Sequence, residues 1–497
     1  MKLIIRKKKN SKKKQDTELL PHLSLSADYK GIEYCSDNGE KFSFHYIFTL
    51  VDQEIVRKSI LPYLLKNSLE NPNDLHDLIP VTGIKVLTDK SLIDNHLLRG
   101  SILVTFASHP DSFVLIPARK VEGRSLSSPE VEFTVEGPKE AFAESIIQNI
   151  NLLRKRIPQK ELIIEEIVVG TVSQTKVGLI YIDNITNDQN VETVRQRITD
   201  LDIDQVIDST IIGQLISDNS FSPFPQILDT ERPDRAASVL VEGKIVILVD
   251  GSPHALISPT TLVEFFSAFE DYFSNWIIAS FIRLVRLFAV AFSILITPIY
   301  VAALTYHYEL IPKDLMSTLI TSRQEIPLPP ILEALFLELT IELLREAGAR
   351  LPTKVGQTIG IVGGIVIGTA SVEAGLTSNV LLILVALGAL ASFSTPVYQM
   401  GNTIRLLRFP FLLFAELWGL IGIVYCFCLL MTHLLRLTSL GRPFLEPLFP
   451  PRIQDLRDSI IRFPFSLQNR RPEYLRTKKP QRFAKPQHSK QKADIDE

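Results

Sequence analysis

Three cysteines in 497 residues provide neither a disulfide framework nor a four-ligand zinc site. Cys35 stands alone, and Cys426 and Cys428 lie in an apolar run that reads as ordinary packing. The chain also lacks the strings of common catalytic machinery: no G-x-S-x-G elbow, no G-x-x-x-x-G-K-[ST] phosphate loop and no H-E-x-x-H. Its nine histidines are scattered. The acidic stretch LDIDQVID (201–208) has neither the glycine nor the terminal glutamate of a calcium loop and reads as a solvated surface. No enzyme activity, metal site or cofactor is expected. At the N-terminus, LIIRKKKNSKKKQD is followed by polar residues, so no signal peptide is expected.

The net charge of −2 conceals an uneven distribution. Residues 1–14 hold eight Lys or Arg and no acid, and residues 470–492 hold nine basic residues against Glu473 alone. Such tails suit nucleic acid or the cytoplasmic face of an anionic membrane. The apolar runs below favour the membrane, and no nucleic-acid partner is expected.

Five regions follow from composition: a basic and polar tail (1–40), two lobes (41–160 and 161–280), a membrane domain (281–440) and a basic tail (441–497). In the lobes, strand-like SILVTFA (101–107), SFVLIPA (112–118) and VGLIYI (177–182) alternate with helical stretches at 137–157 and 191–204. The expected fold is α/β or α+β in two lobes. KIVILVDGSPHALI (244–257) predicts a β-hairpin turning at Asp250-Gly251, with Asp250, Gly251 and Ser252 open to a structural or a ligand-loop reading.

LFAVAFSILITPIYVAALTY (287–306) is twenty uncharged residues, enough to cross a hydrocarbon core, with Arg283 and Arg286 marking its cytoplasmic end. Further spans are expected over 355–372, 375–398 and 409–435. Four spans would return the C-terminal tail to the side of the N-terminal lobes, but they place Arg405 and Arg408 outside, against the positive-inside preference. ILEALFLELTIELLRE (331–346) carries the polar stripe Glu338, Glu342, Arg345 and Glu346, and is expected to be an interfacial, re-entrant or partner-packed helix. Pro298 interrupts the first span as a static kink or a hinge.

EGPKEAFAESIIQNINLLRKRI, SPFPQILDTERPDRAASVLVEGKIVILVDGSP, LELTIELLREAGARLP and VGQTIGIVGGIVIG occur in this order. Together they resemble the A subunits of GerA-type spore germination receptors of endospore-forming bacteria. The resemblance implies a multi-pass protein of the spore inner membrane with a large cytoplasmic N-terminal domain. It further implies a nutrient-binding, transporter-like B subunit, a lipoprotein C subunit, and A subunits forming a homo-oligomeric ring that conducts ions when germinant binds. Glu136 before GPKEAF and SFSTPVYQ (392–399) depart from the usual wording, so no role is carried onto them.

In VGQTIGIVGGIVIGTASVEAG (355–375), Gly356, Gly360, Gly364 and Gly368 form a small-residue ridge that lets helix backbones approach in a bilayer. The opposite side carries Ile359, Val362, Val366, Thr369 and Glu373. Two readings stand on the residues alone: a packed span, or a pore in which valine rings gate by dewetting and Glu373 attracts cations. The resemblance favours the pore. Glu416 lies inside the last apolar run, either functional or bonded to a neighbouring helix, and Glu338 and Glu342 are candidate vestibule acids. The expectation is a germinant receptor A subunit acting as a nutrient-gated cation channel. A carrier and a non-conducting scaffold are the alternatives; no inverted repeat marks a carrier.

Overall fold

The structure is a computed structural model that describes residues 20–66, 75–120, 129, 132, 134–351 and 353–483, without the side chains of 77, 91, 315 and 353–362. The basic run 1–14 and the C-terminal tail from 484 lie outside the described residues. Two units divide the chain: Met1–Ser220, Ile227–Pro259 and Asn469–Glu497 form one, and Phe221–Gln226 and Thr260–Gln468 the other. The second is thus inserted into the first.

Period-two patterning builds the first unit. Strands β1 (Tyr29–Cys35), β2 (Lys41–Ile47), β3 (Lys85–Leu87), β4 (Ser101–Phe106) and β5 (His109–Pro117) form a sheet in the order β1-β2-β4-β5-β3. Phe42, Phe44, Ile102, Val104, Val114 and Ile116 enter one core with Ile60 and Leu64. Leu103, Phe113 and Leu115 enter a second core, on the other face, with Leu23 and Leu97. The second sheet runs β6 (Leu162–Val169), β7 (Thr175–Ile182), β9 (Ile245–Val249), β10 (Ala255–Ser258), β8 (Leu228–Thr230). Every pairing within the two sheets is antiparallel, which is the α+β form of a two-lobed fold.

Helices α1 (Ile146–Arg156), α2 (Asp188–Thr199), α3 (Ser209–Ile216) and α4 (Pro233–Glu242) accompany the second sheet. The β9–β10 turn explains their placement. Gly251 adopts φ +92, and the Asp250 carboxylate accepts from Ile146 N at 3.1 Å, capping α1. Ser252 Oγ donates to Asp208, whose carboxylate caps α3 through Thr210 N at 3.1 Å. Asp250-Gly251-Ser252 therefore ties two helix N-termini together.

Arg154 of α1 fastens the two sheets. Its Nε and Nη2 donate to the Asp28 carboxylate at 3.0 and 2.9 Å, and Nη2 also reaches Ser26 Oγ at 2.8 Å. Ser26 Oγ and Thr49 Oγ1 complete the carboxylate shell at 2.7 and 3.1 Å. Ala27 N donates across to Ile164 O of β6 at 2.8 Å. The returning C-terminal segment is pinned to the same unit: Arg471 Nε donates to Val241 O at 2.8 Å, and Lys478 pairs with Asp188 at 2.6 Å.

Candidate functional site

The second unit is helical: α5 (Trp276–Thr305), α6 (Lys313–Arg323), α7 (Pro330–Arg350), α8 (Thr353–Glu373), α9 (Asn379–Ser392) and α10 (Tyr398–Arg436). Asn275 caps α5 by accepting from Ile277 N at 2.9 Å. Among the described residues, α5 and α10 are long and apolar enough to cross a membrane. The span expected over 375–398 is α-helical only across Asn379–Ser392.

The single span expected over 409–435 is a helical hairpin. Trp418 (φ −137, ψ 15) and Gly419 (φ 60, ψ −138) break α10. Thr403 Oγ1 donates to Pro223 O, while His433 Nε2 lies 2.8 Å from Ser222 Oγ. A straight helix would hold positions 403 and 433 about 45 Å apart. The Phe414 and Tyr425 rings, 5.7 Å apart and tilted by 49°, join the two limbs near the tip, where Leu417 O accepts from Tyr306 OH at 3.2 Å. Positions 403 and 433 therefore share the base of the bundle, the end bearing residues 222–224, with Arg405 close by and Arg408 about midway along the first limb. The sequence hid this because one apolar run covers both limbs and the reversal takes only two residues.

Gly419 is required at the tip. Its backbone lies where a side chain is strained, and a Cβ would sit 2.8 Å from His307 Nε2. Gly419→Ala is expected to cost about 1–3 kcal/mol, read as a lower thermal midpoint of the detergent-solubilised chain. An unchanged midpoint would show that the tip tolerates a continuous helix.

Inside the bundle, α7 carries three acids matched by arginines from elsewhere. Glu333 pairs with Arg323 at 2.8 Å and accepts from Ser378 N at 3.3 Å. Glu338, 1% exposed, pairs with Arg408, 2% exposed, and accepts from Thr297 Oγ1 at 3.0 Å. Arg408 also donates to Ser293 O at 3.0 Å and Gly388 O at 3.3 Å, bridging α5, α7 and α9. Glu342 lies 3.6 Å from both Arg345 and Arg405. Arg345 stacks over Phe393 at 4.3 Å.

In the single chain both candidate vestibule acids, Glu338 and Glu342, face arginines. Glu338 is sealed inside the bundle with its charge neutralised, and Glu342 faces two arginines. A polar stripe on an otherwise apolar helix signalled burial against partners, and the partners are in this chain. Pro298 lies within α5 beside Thr297, the hydroxyl that bonds Glu338.

On α8, the side chain of Val362 and the surroundings of Gly356 and Gly360 lie outside the described residues. Gly368 faces Leu382 of α9, which a Cβ there would meet at 3.7 Å, and Ser371 is buried. A Cβ at Gly364 would meet nothing within 4 Å, whereas one at Gly363, absent from the expected ridge, would come within 2.9 Å of Leu344 of α7. Val366, Thr369 and Glu373 are exposed on the face turned away from these contacts. Glu416 lies just before the hairpin tip, partly buried, with Oε2 enclosed and unbonded. Among the described residues no group of three or more His, Cys, Asp or Glu is placed to hold a metal ion.

Comparison with known proteins identifies the family of the chain. The family model described as Bacillus/Clostridium GerA spore germination protein matches residues 17–474. This chain belongs to the GerA family. The GerA-family chain is 50% identical over 466 residues to spore germination protein GerQA of Bacillus cereus, covering 94% of this chain and 93% of that one. It is 46% identical to GerIA of the same organism, covering 96% and 72%. Spore germination protein KA of Bacillus subtilis is 36% identical, over 86% of this chain and 79% of that protein. Among solved structures, the N-terminal domain of the A subunit of the Bacillus megaterium spore germinant receptor GerK3 is 28% identical, covering 49% of this chain and 92% of that one, with TM-score 0.36.

Proposed function

We propose that this GerA-family chain is the A subunit of a nutrient germinant receptor in the spore inner membrane, and that copies of it assemble into a ring whose axis is a gated cation pathway. Helices α5 and α7 to α10 form a multi-pass domain with its base at the cytoplasmic side. Arg283, Arg286, Arg405 and Arg436 near that base fit the positive-inside preference. A transporter-like B subunit and a lipoprotein C subunit complete the receptor, and nutrient binding on a partner shifts a closed–open equilibrium. Taking a ring from 1:99 to 99:1 open requires about 5.5 kcal/mol of differential binding, which several sites supply jointly.

One observation carries the conducting role: α8 packs through Gly363, Gly368 and Ser371, leaving Val366, Thr369 and Glu373 without a covering element in a single chain. A second copy about an axis would bring these residues into rings. The test is current through a planar bilayer containing purified chain, with and without partner subunits and germinant. Val362→Ala and Val366→Ala are expected to raise germinant-independent conductance. Normal ion release from both variants, stably expressed, would reject this face as the gate and favour a non-conducting scaffold.

A further inference from the structure

After α10 the chain runs without a long helix to Gln468, yet it is held firmly. Phe444 is buried against Phe265, ring centroids 5.8 Å apart, and its carbonyl accepts from Leu262 N at 2.7 Å. Arg462 is buried and donates to Asp271 O, Ser274 O and Tyr272 O at 2.7, 2.6 and 3.2 Å, with its guanidinium 4.7 Å from the Phe465 ring centroid. Anchors of this kind fix side-chain directions. Even so, Leu448, Phe449, Ile453, Ile461, Phe465 and Leu467 point outward, Phe449 at 57% and Ile453 at 78% exposure. Folding of this chain leaves that apolar surface uncovered.

Its location indicates what covers it. Ser280 Oγ donates to Arg462 O at 3.0 Å, and Arg283 pairs with Asp458 at 3.2 Å. These contacts attach the segment to the first turns of α5, where Ile277, Ile278 and Phe281 are also exposed. Asp458 and Arg462 thus sit at the level of Ser280 and Arg283, the turn of α5 that also carries exposed Phe281. Arg457 is exposed there and has no ion-pair partner among the described residues.

The geometry points to residues 447–467 as a collar in the headgroup layer of the cytoplasmic leaflet. The aliphatic and aromatic tips enter the upper acyl region and Arg457 turns toward lipid phosphate. The inference rests on the membrane reading of α5 and α10. Lipid is the occupant because the belt continues the lipid-facing surface of α5 and a cation flanks it.

The test uses the full chain with Cys35→Ser, Cys426→Ala and Cys428→Ser, reconstituted in phosphatidylglycerol–phosphatidylcholine vesicles. An environment-sensitive fluorophore is attached through Ile453→Cys, or through Leu413→Cys as a reference on the exposed side of the first α10 limb. The label at 453 is expected to emit to the blue and to be quenched more by nitroxides near the headgroup than by nitroxides deep in the acyl chains. The label at 413 is expected to respond to deep nitroxides. Water-like emission at 453 with quenching at 413 overturns the collar while the bundle remains in the bilayer. Blue-shifted emission at 453 that no lipid nitroxide quenches shows a protein cover and also overturns it. Water-like emission at both sites removes the membrane reading and the collar with it.

Discussion

Arg408→Met is expected to destabilise the helical unit by about 3–5 kcal/mol, because it leaves the Glu338 carboxylate buried without its partner. The reverse change, Glu338→Leu, strands Arg408 among Ser293 O, Gly388 O and aliphatic neighbours, with a loss of similar size. The combined variant Glu338→Leu with Arg408→Met replaces the pair by apolar side chains and is expected to recover much of either single loss. Thermal unfolding of the three detergent-solubilised variants measures this coupling. Additive losses would show that the two residues act independently. The effect is large because α5, α7, α9 and the first limb of α10 all meet at this pair, in a buried interior where water does not replace a lost partner.

In the sheet unit, Arg154→Met is expected to cost about 3–5 kcal/mol by the same mechanism. Asp28→Asn keeps the shape but weakens the attraction, so it should cost less. Burial alone would push the Asp28 carboxyl up, but the Arg154 charge and the bonds from Arg154, Ser26 and Thr49 outweigh it and hold the group below the usual range. A depressed native pKa means the contribution is fully present above the unfolded value near pH 4 and is lost as pH falls through the native value. Acidification from pH 7 toward pH 3 should therefore lower the wild-type midpoint more than that of Asp28→Asn. Equal acid sensitivity in the two proteins would show that the pair does not link the sheets energetically. Because Asp28 precedes β1 while Arg154 lies on the helix leading to β6, the predicted loss falls on the junction of the lobes, with each sheet's own core intact.

Strands in both lobes were legible because alternation is local: SILVTFA, SFVLIPA and VGLIYI each lie in or overlap a strand of the structure. Helix ends were less so. The stretch 137–157 reads as one helix from Gly137-Pro138, but α1 begins at Ile146. One tertiary bond and one local pair decide that start: Asp250, about a hundred residues on, accepts from Ile146 N, and the Asn149 side chain engages the Ala143 backbone at 2.8 and 2.6 Å. Asp250 lies far outside any local window. Glu338 was visible as a polar residue on an apolar helix and Arg408 as a misplaced cation. Pairing them needed the packing of the first α10 limb against α5, α7 and α9, which no local window shows.

The sequence by itself determined the two-lobed sheet unit, the apolar helical unit after it, the turn at Asp250-Gly251 and the family, because periodicity, turn chemistry and motif order are properties of neighbouring residues. Tertiary structure alone decided which charges are neutralised, where α10 folds back and which face of α8 stays open. Those outcomes depend on elements far apart in the chain sharing one low-dielectric interior, where a carboxylate is stable only if a cation from another helix reaches it.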